Sequence, residues 1–318
     1  MDEDYPRTLL EFEARFSTER ACREYLAQLR WPDGFVCPRC QAGSARAATR
    51  NRLICRACRH QTSATAGTIF QDSRKPLTLW FRAVWWVTTQ KYGASALGLQ
   101  RVLGLGQYKT AWTWLHKLRR AMVRSERDRL SGSVEVDEIY VGGKERGARG
   151  RSRGKKALVA VAAEEAGAGI GRIRLRRVPD ASAASLEAFI LEAVEPGSSV
   201  RTDGWPSYSQ LHALGYRHRK AVTAGDPRRL DSDFPRVHRV AALLKRWLLG
   251  THQGAVGKRH LNRYLDEFTF RFNRRTSSSR GLLFYRLLQQ AVVTAPTLQR
   301  ELIATSRNRP DASGASSE

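Results

Sequence analysis

The sequence predicts a mixed α/β protein, on three observations. Two C-x2-C pairs lie 14 residues apart near the N-terminus. Apolar residues recur at helical spacing from Pro76 to about Arg127. Beyond Ser131 the pattern turns to strand-like alternation, followed by one helix and a further strand. With 318 residues, 42% of them hydrophobic, the chain is long enough for two folded units and a small third, since domains run about 100–200 residues. Lys and Arg number 55 against 30 Asp and Glu, a net charge of +25. A surplus of this size points to a polyanionic partner, nucleic acid first.

The elements follow in order. Leu10, Phe12, Phe16, Cys22, Tyr25, Leu26 and Leu29 mark one helix across residues 8–30, which Trp31-Pro32-Asp33-Gly34 ends. Residues 35–65 are short, cysteine-rich and strand-like. Helices are expected at about 76–92, 94–103 and 109–127, separated by Gly93 and by Gly104 and Gly106. Strands are expected at 133–143, 157–165 and 169–178, then a helix at 181–194 and a short strand at 198–204 that ends at Asp203. A long helical stretch starts near Pro235, and the last dozen residues are small, polar and expected to be disordered. The segments are therefore 1–34, 35–70, 71–130, 131–290 and 291–318. The richest apolar run, LWFRAVWWV at 79–87, falls short of the roughly 18 residues a membrane span needs. The N-terminus lacks a basic region followed by an apolar one, so the chain is expected to be soluble and cytoplasmic, with no membrane partner.

In a reducing compartment, clustered cysteines read as metal ligands. Cys37, Cys40, Cys55 and Cys58 offer two thiolate pairs to a tetrahedral Zn²⁺. A segment this small owns no core, so metal binding would supply its folding energy. Further on, helix, glycine turn and basic helix fit a helix-turn-helix. Its second helix, Lys109 to Arg120, would offer Lys117, Arg119 and Arg120 to DNA.

Two acids sit where strands predict chemistry. Asp137 lies mid-strand in VEVDEIYVGG and Asp203 ends the strand in RTDGW. The β-β-β-α-β order between them matches a ribonuclease H-like fold, in which the first and fourth strands are neighbours. Carboxylates distant in sequence would then meet at one site. Phosphodiester cleavage by two divalent ions needs such a cluster.

The cluster CPRC…CRACRHQTSATAGTIF, the strand VEVDEIYVGGKE, the strand end RTDGWPSY and GTHQGAV…HLNRYLDEFTFRFNRR resemble insertion-sequence transposases of the ISXO type. The resemblance covers roughly residues 10–290. It implies a zinc ribbon followed by a DDE-type, ribonuclease H-like transposase domain, with Mg²⁺ at Asp137 and Asp203. The family commonly carries an acid on a late helix and a Lys seven residues later. Here the Lys is Lys245, and the position seven before it is His238, as in some relatives with Asn or His there. Seven residues make nearly two helical turns, so His238 and Lys245 share a face. The metal site implied is Asp137, Asp203 and His238. An imidazole in place of a carboxylate favours Mn²⁺ over Mg²⁺. Asp231, Asp233 and Glu267 stand as alternative third acids, while Asp266 and Glu267 are expected to pair with Arg271, Arg274 or Arg275.

The activity implied is hydrolysis at transposon ends and strand transfer into target DNA. Phosphates would meet Lys245 and Arg246, the basic loop with Arg151, Arg153, Lys155 and Lys156, and Arg274 and Arg275. Acting on paired ends implies a homodimer or higher oligomer on DNA, in the nucleoid of a bacterium. The alternatives are a non-catalytic zinc-ribbon regulator derived from a transposase, a recombinase with a Ser or Tyr nucleophile, Tyr140 and Tyr208 being the natural candidates, and a nuclease of the same fold.

Overall fold

The computed structural model describes residues 3–124, 126–142, 156–221 and 234–304. They fall into two units, Met1–Met122 with Ser279–Glu318, and Val123–Ser278.

In the first unit the single helix expected over 8–30 is two. Helix α1 spans Leu9–Arg15 and α2 spans Glu19–Arg30. Thr18 causes the break: its hydroxyl accepts the Ala21 N–H, which places it better at a helix start than in an interior. Strands β1 (Ala45–Ala48), β2 (Arg52–Cys55) and β3 (Gln61–Thr62) form an antiparallel sheet in that order. Helices α3 (Leu77–Thr89), α4 (Ala96–Val102) and α5 (Tyr108–Ala121) follow, the last ending earlier than its expected 127.

The second unit is built on a five-stranded sheet. Its strands are β4 (Ser133–Val141), β5 (Ala157–Ala166), β6 (Gly169–Val178), β7 (Ser199–Thr202) and β8 (Arg217–Lys220). Their order is β6-β5-β4-β7-β8. The first three pair antiparallel, while β7 runs parallel to β4 and β8 parallel to β7. This is the ribonuclease H-like arrangement, with first and fourth strands adjacent as the element order implied. Gly167, at φ +56, allows the tight β5–β6 turn.

Alternation in β4 assigns each side chain to a layer. Val134 and Val136 pack with Leu186, Phe189 and Ile190 of α6 (Ala183–Ala193). On the opposite face Ile139, Val159 and Val161 pack with Val237, Val240 and Leu244 of α7 (Pro235–His252) and with Leu265 and Phe268 of α8 (Leu261–Phe272).

Helices α9 (Arg280–Ala291) and α10 (Gln299–Ala304) return to the first unit. The α/β segment therefore ends near Ser278 rather than at 290. The cause is Phe284, whose ring meets Phe12, Phe16, Phe81 and Trp85 in one aromatic cluster. The Pro6 carbonyl occupies the space a Cβ at position 281 would need, so Gly281 admits this close approach. Among the described residues no helix is long and apolar enough to cross a membrane.

Candidate active site

Strand β4 carries Glu135, Asp137 and Ile139 on the face toward α7. Its parallel register with β7 pairs Ser133 with Ser199, Val134 with Val200 and Glu135 with Arg201. The same offset carried two residues on sets Asp137 level with Asp203, just past the end of β7. Asp203 itself lies outside the paired residues, one position past the end of β7. Asp137 Oδ1 accepts the Glu138 N–H at 2.8 Å, and Asp203 Oδ1 accepts the Trp205 N–H at 3.0 Å.

Helix α7 reaches this face through a clamp that the sequence reading missed. Glu135 is fully buried. Its carboxylate accepts the N–H groups of Arg236 and Val237, at 2.9 and 3.0 Å, in the first turn of α7. It also accepts the Arg236 guanidinium at 2.9 Å, which donates at 3.0 Å to Glu165 as well. A carboxylate at a helix start satisfies orphan N–H donors and meets the positive end of the helix dipole. Two residues further along both the strand and the helix, His238 Nε2 lies 3.7 Å from Asp137 Oδ2. The sequence signal for the clamp was an acid two places before Asp137 on the same strand face.

On the other face Tyr208, fully buried, donates its hydroxyl to Glu138 at 2.8 Å. Burial raises the Tyr208 pKa well above its ordinary value, and the charges of Glu138, Asp137 and Asp203 raise it further. A phenol held neutral in this way is a poor nucleophile, which argues against Tyr208 as the nucleophile of a recombinase.

The four cysteines form a separate centre. Their sulfurs all lie within 4.8 Å of one another, with Cys37–Cys58 and Cys40–Cys55 each at 3.6 Å. Sulfurs at tetrahedral corners, 2.3 Å from a zinc ion, are about 3.8 Å apart, so the set fits Zn²⁺. Burial raises the Cys37 pKa, but the N–H groups of Cys40 and Arg39 and the neighbouring thiols draw it down to about 6. Against the pull of the Ala42 N–H, hydrogen bonds to Cys58, Cys55 and Cys37 push Cys40 the other way, up to about 12, so a bound cation is what would hold all four as thiolates. Among the described residues no other group of three or more His, Cys, Asp or Glu meets the same distance limit, and Asp137, Asp203 and His238 do not.

The expected DNA contacts divide. Lys245 and Arg246 are exposed on α7. Lys156 is half-buried, and Arg151, Arg153 and Lys155 lie outside the described residues, as do Asp231 and Asp233. The basic end of α5 is a correction. Arg119 is 1% exposed, Lys117 donates to the Ile69 carbonyl at 3.3 Å, and Arg120 donates to Pro296 and Thr297. These three cations are drawn inward because nearly the whole of α5 is buried after its first turn, leaving Gln107, Tyr108 and Lys109 outermost. Arg274 and Arg275 likewise bond the carbonyls of Phe270, Phe272, Gly171 and Ile170 and stack on Phe270 and Phe272. Glu267 pairs with Arg271 at 2.9 Å as expected, whereas Asp266 pairs with Arg263 at 3.8 Å.

Two family models match this chain. The ISXO2-like transposase domain covers residues 129–273, and the transposase zinc-ribbon domain covers residues 17–61. A relative from Halobacterium salinarum, an uncharacterized protein in transposable element ISH50, is 30% identical over 282 residues, which is 80% of this chain and 91% of the relative. The crystal structure of a pre-cleavage Mos1 transpososome aligns over 76% of this chain and 83% of its own at 13% identity, with a TM-score of 0.29 that carries no weight. The chain belongs to the ISXO2-like family of insertion-sequence transposases.

Proposed function

We propose that the chain cleaves a phosphodiester at the ends of its element and transfers the freed 3′-hydroxyl into target DNA, with Asp137, Asp203 and His238 as the metal site. The observation that carries this reading is the 3.7 Å approach of His238 to Asp137, on the strand that runs parallel beside β7, which Asp203 follows. Two carboxylates and an imidazole suit Mg²⁺ or Mn²⁺. Divalent ions there would activate the attacking oxygen and stabilise the leaving one. The partly exposed imidazole of His238 would complete the donor set or accept the proton of the attacking oxygen. Lys245 and Arg246, exposed on the same helix, would hold phosphates, and the zinc ribbon would supply a folded DNA-binding module. Double-stranded DNA is the partner, at transposon ends and at the target. Work on two ends calls for at least a dimer on DNA, in the cytoplasm at the nucleoid.

The test is cleavage of a supercoiled plasmid carrying the element's ends, in Mg²⁺ or Mn²⁺ and in chelator. Nicking should require the metal and should vanish in Asp137→Ala while binding of end DNA persists. Cleavage that survives Asp137→Ala would place the site elsewhere. Binding without cleavage in the wild-type chain would favour the regulator.

A further inference from the structure

One half of a sheet face in the second unit is cationic rather than apolar. Strand β8 is the edge of the five-stranded sheet, with β7 as its neighbour. Their parallel register pairs Ser199 with Arg217, Val200 with His218, Arg201 with Arg219 and Thr202 with Lys220. Paired residues of parallel strands project to one side, which sorts the two faces. Val200 and its β4 partner Val134 pack beneath α6 with Tyr208 and Tyr216. Arg201 and Arg219 therefore fall on the opposite side, in line with Glu135, and Arg217 joins them by alternation. On that side the apolar layer under α7 and α8 draws its strand residues from β4, β5 and β6, and among the described residues none from β7 or β8. Arg217 and Arg219 are exposed. Lys220 is exposed as well, with its stem against Gly204: a Cβ at that glycine would come 3.7 Å from the Lys220 Cβ. Among the described residues no carboxylate pairs with Arg217, Arg219 or Lys220. Residues 196–221 hold four Arg and Lys residues and one acid, Asp203.

Edge strands are often charged to deter pairing with another chain, and an acid serves that purpose as well as a base. Cations alone, on the face that carries Glu135 and Asp137, point further. Arg219 stands two strands from Glu135, about 10 Å at the usual strand spacing. That is less than the roughly 12 Å width of a major groove, so a duplex seated at Asp137 also lies over β8. Arg217 and Arg219 are about 6.6 Å apart along the strand and can meet separate phosphates of one backbone. Resting on the reading that the chain cuts DNA, we propose that β8 is a phosphate track for the duplex under cleavage. Arg217 and Arg219 are its contacts, and Lys220 holds the end beside Gly204. Guanidinium forks suit phosphate oxygens, which accept two parallel N–H bonds. Such contacts carry no sequence information. They fix how the duplex lies across the sheet and leave the choice of element ends to other parts of the chain.

The test uses the full zinc-loaded chain and a fluorescent duplex carrying the element's end, with affinity read by anisotropy across a salt series. Both arginines are exposed, so replacing them removes no core contact. Arg217→Gln combined with Arg219→Gln should weaken binding about tenfold or more, and should flatten the slope of log affinity against log salt by about two. Lysine at both positions should restore most of that slope, and glutamate at both should weaken binding further than glutamine. Nicking of the end-bearing plasmid at low chain concentration should fall in the same order. Glutamate variants that bind end DNA like wild type would show that the charges only guard the sheet edge, and would overturn the track. Strand transfer lost while end binding and nicking persist would assign β8 to target DNA, and would overturn it too. Both outcomes leave the transposase reading in place. Failure of the wild-type chain to bind or nick the end DNA would overturn that reading and the track with it.

Discussion

The Glu135 carboxylate accepts the Val237 N–H at 3.0 Å, joining the middle of β4 to the first turn of α7. Two residues further along the strand and one further along the helix, Asp137 and His238 face each other. The clamp fixes the register of helix on strand, and so sets the spacing of the proposed metal ligands. Glu135→Ala would strand a largely buried guanidinium and two helix N–H groups, costing about 3 kcal/mol of stability. Glu135→Gln keeps an acceptor for the N–H groups and should cost about 1–2 kcal/mol. Urea unfolding checks both values. Cleavage should fall further in each variant than its stability does under assay conditions; equal activity in a folded Glu135→Ala would show that the clamp does not position the site.

For His238 the expected order of strand transfer is wild type, then His238→Glu, then His238→Ala. A carboxylate restores a ligand with the charge that hard cations prefer, whereas a methyl group offers none. Wild-type transfer rates in the alanine variant would make the histidine a bystander.

Metal removal should act on the ribbon before the rest of the chain. A chelator that strips Zn²⁺ should release one ion per chain and expose four reactive thiols, those of Cys37, Cys40, Cys55 and Cys58. Cys22 should stay silent until global unfolding, because burial pushes its thiol up to about 12. A thiol-reagent time course beside a zinc dye reads both. Five thiols reacting together, with no zinc released, would contradict the site.

Asp266 gives a pH signature. Burial lifts its carboxyl from 3.8 to about 6, only partly opposed by Arg263. Between those values the folded chain holds a proton that the unfolded chain has lost, so this group's contribution to stability falls as pH rises from about 4 to about 6 and is flat above. Asp266→Asn should therefore match wild type near pH 4 and exceed it by about 3 kcal/mol above pH 6. Denaturant midpoints across that range test it; a constant difference at all pH values would contradict the assignment.

The same structure shows which features were legible beforehand. Strand order was readable because β-β-β-α-β leaves few ways to seat a fourth strand beside the first. The cysteine centre was readable because spacing alone dictates tetrahedral reach. What escaped were long-range contacts. Nothing in LHKLRRAM marks Arg120 as bonded to Thr297, nearly two hundred residues away, or Arg119 as buried. A basic helix end looks the same in sequence whether it meets DNA or its own chain. Arg120→Ala should accordingly lower the melting temperature and leave DNA affinity nearly unchanged. Thr18 starts a second helix through its hydroxyl, a local signal that the unbroken apolar spacing across residues 8–30 hides. Phe284 assigned α9 to the first unit only through partners near the N-terminus.

The account turns on whether Asp137 and Asp203 hold a common divalent ion. Mn²⁺ titration of the zinc-loaded chain on end DNA, followed by electron paramagnetic resonance, measures this without requiring turnover. The prediction is tight Mn²⁺ binding in the wild-type chain, weakened severely and to a similar degree by Asp137→Asn and by Asp203→Asn. Undiminished binding in either variant would contradict it.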